Sequence, residues 1–297
     1  MPPYPNLRPA LLSLVVVQIF FGSLPVIGKL AIPAFGAGGV AFFRIAGGAL
    51  VFQLLRLGGP AVPWRDHPKI LLCAILGIAG NQLLFLYGLQ HTRAVNATLI
   101  ITLVPVLTYA VALMIGMERW VWRRVAGIGV GMSGVALLVA GDVGGGELIG
   151  DLLILGNTTA YAIYLVISRP LLERLSPLTV VAWLFTWSVP ITLAVVGLPT
   201  LPPWDAVAGV GAELHVPVWA AMIYIVAGPT VGAYYLNLYA LRAVPSSTVA
   251  LFIYLQPFIT TAFSIPLLGE IPGPRTILCA GISFVGVWLA TRPAAAG

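Results

Sequence analysis

The residues of this sequence that could do chemistry are few, and most stand inside long apolar runs. They are Gln18, Arg44, Asn81, Gln82, Thr102, Tyr109, Asn157, Tyr161, Trp183, Trp187, Tyr234, Tyr235 and Gln256. An uncharged amide in hydrocarbon is costly unless it pairs or faces water, so each of these either bridges two helices or lines a cavity. Arg44 stands about six residues into its run, about 9 Å from the end at helical rise. A charge at that depth reads as an anion contact or a gate; snorkelling to headgroups, or a bond to helix-end carbonyls, is the other reading. Lys29 sits so near the end of its run that snorkelling is expected.

Catalytic constellations are missing. The histidines His67, His91 and His215 fall in loops or at the ends of runs, and no Asp or Glu lies deep within one. Acid–base or nucleophilic chemistry needs such groups at depth, and a metal needs clustered ligands, so no catalytic residue, metal site or cofactor is expected. Cys73 and Cys279 stand alone without a CxxC partner and read as packing residues. Gly129-Val-Gly-Met-Ser-Gly134 spells G-x-G-x-x-G, but that fingerprint binds dinucleotides only between a strand and a helix. Inside an apolar run its small residues serve close helix packing instead. Proton relays through membranes use buried carboxylates or histidines, so their absence favours a facilitator or exchanger.

The elements that must position these residues follow from composition. Of 297 residues, 60% are hydrophobic and 8% charged, with a mean hydropathy of +1.02. Soluble domains carry about 25% charged residues, so this surface faces a lipid bilayer. A bilayer core needs about 20 apolar residues per helix. Ten segments qualify: 10–31, 38–57, 69–89, 94–115, 123–141, 149–169, 177–198, 217–241, 245–268 and 274–291. The net charge of +6 is an orientation signal and does not call for nucleic acid. With the N-terminus cytoplasmic, Arg8, Arg56, Arg65, Lys69, Arg119, Arg123, Arg124, Arg169, Arg174, Arg242 and Arg292 lie inside. Only Arg93 and Arg275 lie in outer loops. That bias places both termini in the cytoplasm.

The chain also repeats itself. A shift of 152 residues lays 80–138 on 232–290 without a gap, matching Gly80/Gly232, Tyr87/Tyr239, Pro105/Pro257, Thr108/Thr260, Glu118/Glu270, Arg123/Arg275, Gly129/Gly281 and Gly134/Gly286. Five spans per copy is an odd number, so the second copy is inserted upside down. The expected fold is therefore all-α and integral to the membrane: ten transmembrane helices in two inverted repeats, 1–145 and 146–297. The glycine-rich linker Gly141–Gly146 falls near the junction. Inverted repeats suit alternating access to a midplane site. Pro105 and Pro257, at matching depth, are candidate hinges, with static kinks as the other reading.

The pattern Pro105…Glu118…Gly129…Gly134, repeated as Pro257…Glu270…Gly281…Gly286, resembles the EamA-type repeat of the drug/metabolite transporter superfamily. Phe21-Gly22…Lys29…Pro33…Arg44 is similar to the start of that repeat. Its second copy is looser, with Tyr161-Ala162 and Arg169 matching and nothing matching Arg44. The resemblance implies a ten-helix exporter with a central cavity in a bacterial inner membrane, and within the superfamily an exporter of aromatic amino acids of the YddG type.

A small-molecule substrate would bind where the repeats meet, on Gln18, Asn81, Gln82, Tyr161, Trp187, Tyr234 and Gln256, with Arg44 as gate or anion contact. Amides and phenols against aromatic faces suit a neutral or zwitterionic solute with an apolar part. A nucleotide-sugar or phosphate-ester exchanger is the alternative, and a lipid-modifying membrane enzyme a more distant one. A monomer suffices for any of these.

Overall fold

The computed structural model describes residues 7–59, 61–117, 120–140, 147–172, 174–210, 214–241 and 252–291. Glu118, Arg119, Arg242, Arg292, the linker at 141–146 and the start of the expected ninth span (245–251) lie outside them.

The N-terminal helical run Arg8–Leu55 spans 48 residues, which at 1.5 Å per residue is about 72 Å, over twice a bilayer core. It breaks at Gly36, where φ is 68° and ψ 158°. A side chain at such a φ is strained, so glycine supplies the break between α1 (residues 7–35) and α2 (residues 37–55). Next come α3 (Trp64–His91), α4 (Ala94–Met114), α5 (Trp122–Ala140), α6 (Glu147–Leu172) and α7 (Pro177–Val196). The Ser176 hydroxyl caps α7 by accepting the Thr179 N–H at 3.1 Å, and Pro177 starts the helix where no N–H is needed.

A short antiparallel hairpin, β1 (Val207–Val210) and β2 (Leu214–Pro217), interrupts the otherwise helical order. Hydropathy could not show it, because four-residue strands are too short to set a period. After it come α8 (residues 218–241), α9 (Ile253–Leu268) and α10 (Pro274–Thr291). The starts and ends of several helices lie a few residues from those expected, α1 and α3 most of all. Among the described residues six helical runs are long and apolar enough to cross a membrane, and Val125–Leu138, Ile253–Leu268 and Pro274–Gly286 are shorter apolar helices.

Irregular turns recur in the register of the repeat. A π-helical turn occupies Ile75–Ala79 in α3, and another occupies Val226–Gly232 in α8, matching under the 152-residue shift. The helix α4 breaks at Thr102–Leu103, and α9 begins with a 3-10 turn at Ile253–Leu255, again in register. Pro105 and Pro257 fall in the first turn of the helical segments that follow, Val104–Met114 and Gln256–Leu268. There a missing N–H costs little, so both prolines sit at helix breaks.

Glycines set the closest packing. A Cβ on Gly286 would meet the backbone of Gly131, and one on Gly134 would lie 2.5 Å from Ser283 Oγ. The G-x-G-x-x-G segment is thus a helix contact between α5 and α10. Similarly, Gly77 in α3 admits the Tyr164 ring of α6.

Side-chain ties gather at the two ends of the bundle. At one end Arg174 pairs with Asp66 at 2.8 Å, joining the α6–α7 turn to the start of α3. At the other, Lys29 pairs with Glu270, Thr92 donates to Asp151, and Arg93 donates to the Ile271 carbonyl. One expectation is corrected here. Lys29 does not snorkel, because a carboxylate stands 2.7 Å away. Asp151 is fully buried, since Gly150 lets α6 close on His91 and Thr92.

Candidate functional site

Among the described residues Arg44 is the charge farthest from either end of its helix. It is 3% exposed, and its Nε donates to Thr230 Oγ1 at 3.1 Å. The π turn of α8 makes this acceptor available. Pro229 offers no N–H to the Ile225 carbonyl, and Thr230 Oγ1 donates to that carbonyl at 2.9 Å. The hydroxyl's lone pair is left facing the guanidinium. Gly47 and Gly48 bring α2 close enough for the contact. A Cβ on Gly48 would stand 2.7 Å from the Phe185 ring and 3.1 Å from Thr230 Cγ2, and one on Gly47 2.7 Å from Val226.

Aromatic rings surround this point. Tyr234, one turn beyond Thr230, is within electrostatic reach of Arg44. Its ring meets Phe185 at 5.3 Å, Phe21 at 6.0 Å and Phe52 at 6.3 Å, all edge-on. Tyr161 and Tyr164 face one another at 5.6 Å, in the same packed cluster as Tyr234, Phe52 and Phe185. Phe21, Arg44 and Phe52 come from the first half of the chain; Tyr161, Tyr164, Phe185, Thr230 and Tyr234 come from the second.

Gln82 is 3% exposed, and neither its Nε2 nor its Oε1 has a hydrogen-bond partner among the described residues. The repeat register pairs it with Tyr234, as it pairs Ile78 with Thr230. An orphaned buried amide is costly, and most buried polar groups are bonded.

The other expected site residues are engaged elsewhere. Gln256 Nε2 donates to Gln18 Oε1 at 2.7 Å, tying α9 to α1, and Thr260 Oγ1 donates to the Gly22 carbonyl at 2.6 Å beside it. Asn81 and Asn157 exchange bonds, each side-chain amide donating to the other's backbone carbonyl at 3.2 and 2.8 Å. Trp187 Nε1 donates to His67 Nδ1 at 3.2 Å, beside Trp183, whose ring lies under the Arg56 guanidinium. Thus Arg44, Tyr161 and Tyr234 gather at one centre, while Gln18 with Gln256, Asn81 with Asn157, and Trp187 with His67 form three separate bridges. Thr230, Tyr164 and Phe185 were missed as site residues; only their apolar setting was legible, and the π turn that aims Thr230 leaves no hydropathy signal. A groove of about 540 Å³ between α3, α4 and α6 contains none of the expected site residues.

Long apolar helices around a buried polar centre define a multi-pass membrane protein. The chain belongs to the EamA-like transporter family, whose model matches it twice, over residues 8–140 and 148–292. It is 27% identical, over 97% of its length and 95% of the relative's, to a protein of Streptantibioticus cattleyicolor named probable terminal-alkyne amino-acid exporter. An Archaeoglobus fulgidus protein named as an uncharacterized transporter is 23% identical over 85% of this chain and 88% of its own. A solved crystal structure superposes with a TM-score of 0.65 at 17% identity, covering 96% of this chain and 98% of the other, so the fold is shared. The protein is a membrane transporter of this family.

Proposed function

We propose that the protein exports or exchanges amino acids, those with apolar or aromatic side chains foremost, by alternating access across a bacterial inner membrane. In this reading the ten helices form two inverted repeats, 1–145 and 146–297, with both termini cytoplasmic. Pro105 and Pro257 act as paired hinges. The observation that carries the proposal is the cluster around Arg44, which draws a cation, phenols and phenyl rings from both halves of the chain. The cation suits a carboxylate, and the rings suit an ammonium and an apolar side chain. The relative named probable terminal-alkyne amino-acid exporter supports the same class.

A phosphate ester would call for several central cations, and Arg44 is the charge farthest from a helix end among the described residues. The test is counterflow in liposomes, without an imposed proton gradient, from vesicles loaded with phenylalanine, leucine, glucose 6-phosphate or a nucleotide sugar. Labelled phenylalanine or leucine should accumulate in the vesicles loaded with that amino acid. Accumulation of the phosphate esters alone would overturn the proposal.

A further inference from the structure

We propose that Arg44 makes a carboxylate the obligatory recognition element of the substrate and that the amino group is dispensable, so the carrier also accepts monocarboxylates with an apolar body. This deepens the transport reading above and rests on it for the movement of substrate, although binding can be tested alone.

A guanidinium has five N–H donors in a fixed fork. The side-chain bond that Arg44 makes among the described residues runs from one of these donors, Nε, to Thr230, on the side of the fork away from the two terminal nitrogens. No described carboxylate neutralises it. Asp66 is held by Arg174, Glu270 by Lys29, Asp151 lies beside Thr92, Glu147 begins α6 and Asp205 lies in the connection to the hairpin, all toward the ends of helices. A buried charge without a counter-ion is strongly disfavoured, and the planar fork matches a carboxylate with two parallel bonds. A bound carboxylate would therefore supply both the missing charge and acceptors for the terminal nitrogens.

Among the described residues no anion awaits an ammonium here. Around Arg44 stand Tyr234 and Phe185, and the orphaned amide of Gln82, at the repeat position equivalent to Tyr234, is neutral. A side-chain amide both donates and accepts, so it can serve an ammonium, a keto oxygen or a hydroxyl equally. Aromatic rings also bury a methylene, so they favour an ammonium without requiring one. Discrimination at the amino position is accordingly weak, while removal of the carboxylate leaves Arg44 buried and unpaired.

The experiment is counterflow of labelled phenylalanine into phenylalanine-loaded liposomes, challenged with phenylalanine methyl ester, phenylalaninamide, 3-phenylpropionate and phenylpyruvate. The two acids lacking the amino group should compete within a few-fold of phenylalanine itself. The ester and the amide, which lack the carboxylate, should be at least tenfold weaker. Equal competition by the ester, or none by 3-phenylpropionate, overturns the inference. In parallel, thermal stabilisation of the detergent-purified protein by 3-phenylpropionate should be present in wild type and lost in Arg44→Gln. Should phenylalanine counterflow fail while this stabilisation holds, the carboxylate site stands and the amino-acid transport reading falls. Absence of stabilisation in the wild type overturns the site itself.

Discussion

Lys29 Nζ lies 2.7 Å from Glu270 Oε1, and the other oxygen of the same carboxylate accepts the Ala94 N–H at 2.8 Å. One side chain thereby ties α1, the turn before α10 and the first residue of α4. The carboxylate also faces the positive end of the α4 dipole. The two side chains are 23% and 13% exposed, so the pair is partly desolvated. Glu270→Gln keeps a capping oxygen and loses the ion pair, at a cost of about 1 kcal/mol. Glu270→Ala loses the cap as well, for about 1 kcal/mol more. Thermal unfolding in detergent should rank wild type above Gln above Ala; equal values for the two variants would remove the cap from the account.

The α5–α10 contact makes a sharper prediction, because it has internal controls. Gly134 and Gly286 have no room for a Cβ, whereas Gly129 and Gly281, paired in the same repeat, have nothing within 4 Å of one. Gly286→Leu and Gly134→Leu should lower the yield of folded monodisperse protein severely, since backbone atoms cannot yield. Gly129→Ala and Gly281→Ala should behave as wild type by size-exclusion chromatography.

Asn81 and Asn157 form a closed reciprocal pair between α3 and α6. Each single alanine variant removes one amide donor and leaves the other amide's bond to the backbone in place. Each should cost about 0.6 kcal/mol and at most about 1.7, the average and maximum seen for interhelical bonds in membranes, and the double variant about the sum of the two. Unfolding in mixed micelles measures it, and a double variant costing no more than one single would mean that neither bond holds without the other.

Pro105 and Pro257 stand at breaks where their missing N–H is of little structural use. Alanine at either site should leave stability within about 1 kcal/mol, because no packed group is removed. If the breaks are working hinges, counterflow should slow several-fold in both variants. Unchanged rates would make them static bends.

Membrane orientation is open to direct labelling. Arg65 and Asp205 are both exposed, in the first turn of α3 and in the connection after α7. With the termini cytoplasmic, a cysteine at Asp205 should react with an impermeant thiol reagent on intact cells and one at Arg65 only after permeabilisation. Labelling of both from one side would break the inverted arrangement.

Composition and periodicity carried a large share of this protein. An 8% charged chain has to face lipid, and runs of about 20 apolar residues have to be helices there, since an unpaired backbone has no partner in hydrocarbon. Matched landmarks such as Pro105/Pro257 and Gly134/Gly286 were legible because rare residues in one register do not recur by composition alone. Tertiary structure decided which polar residues meet. An amide's type says that it needs a partner, not which one, so Gln18 looked the same as Gln82 until Gln256 was found 2.7 Å from the first and no described partner beside the second. Arg44 was visible as a deep charge. Its acceptor depends on a π turn, on Pro229 withholding an N–H and on two glycines that admit a neighbouring helix. Those are relations between distant segments, and only the packed bundle brings them within bonding distance.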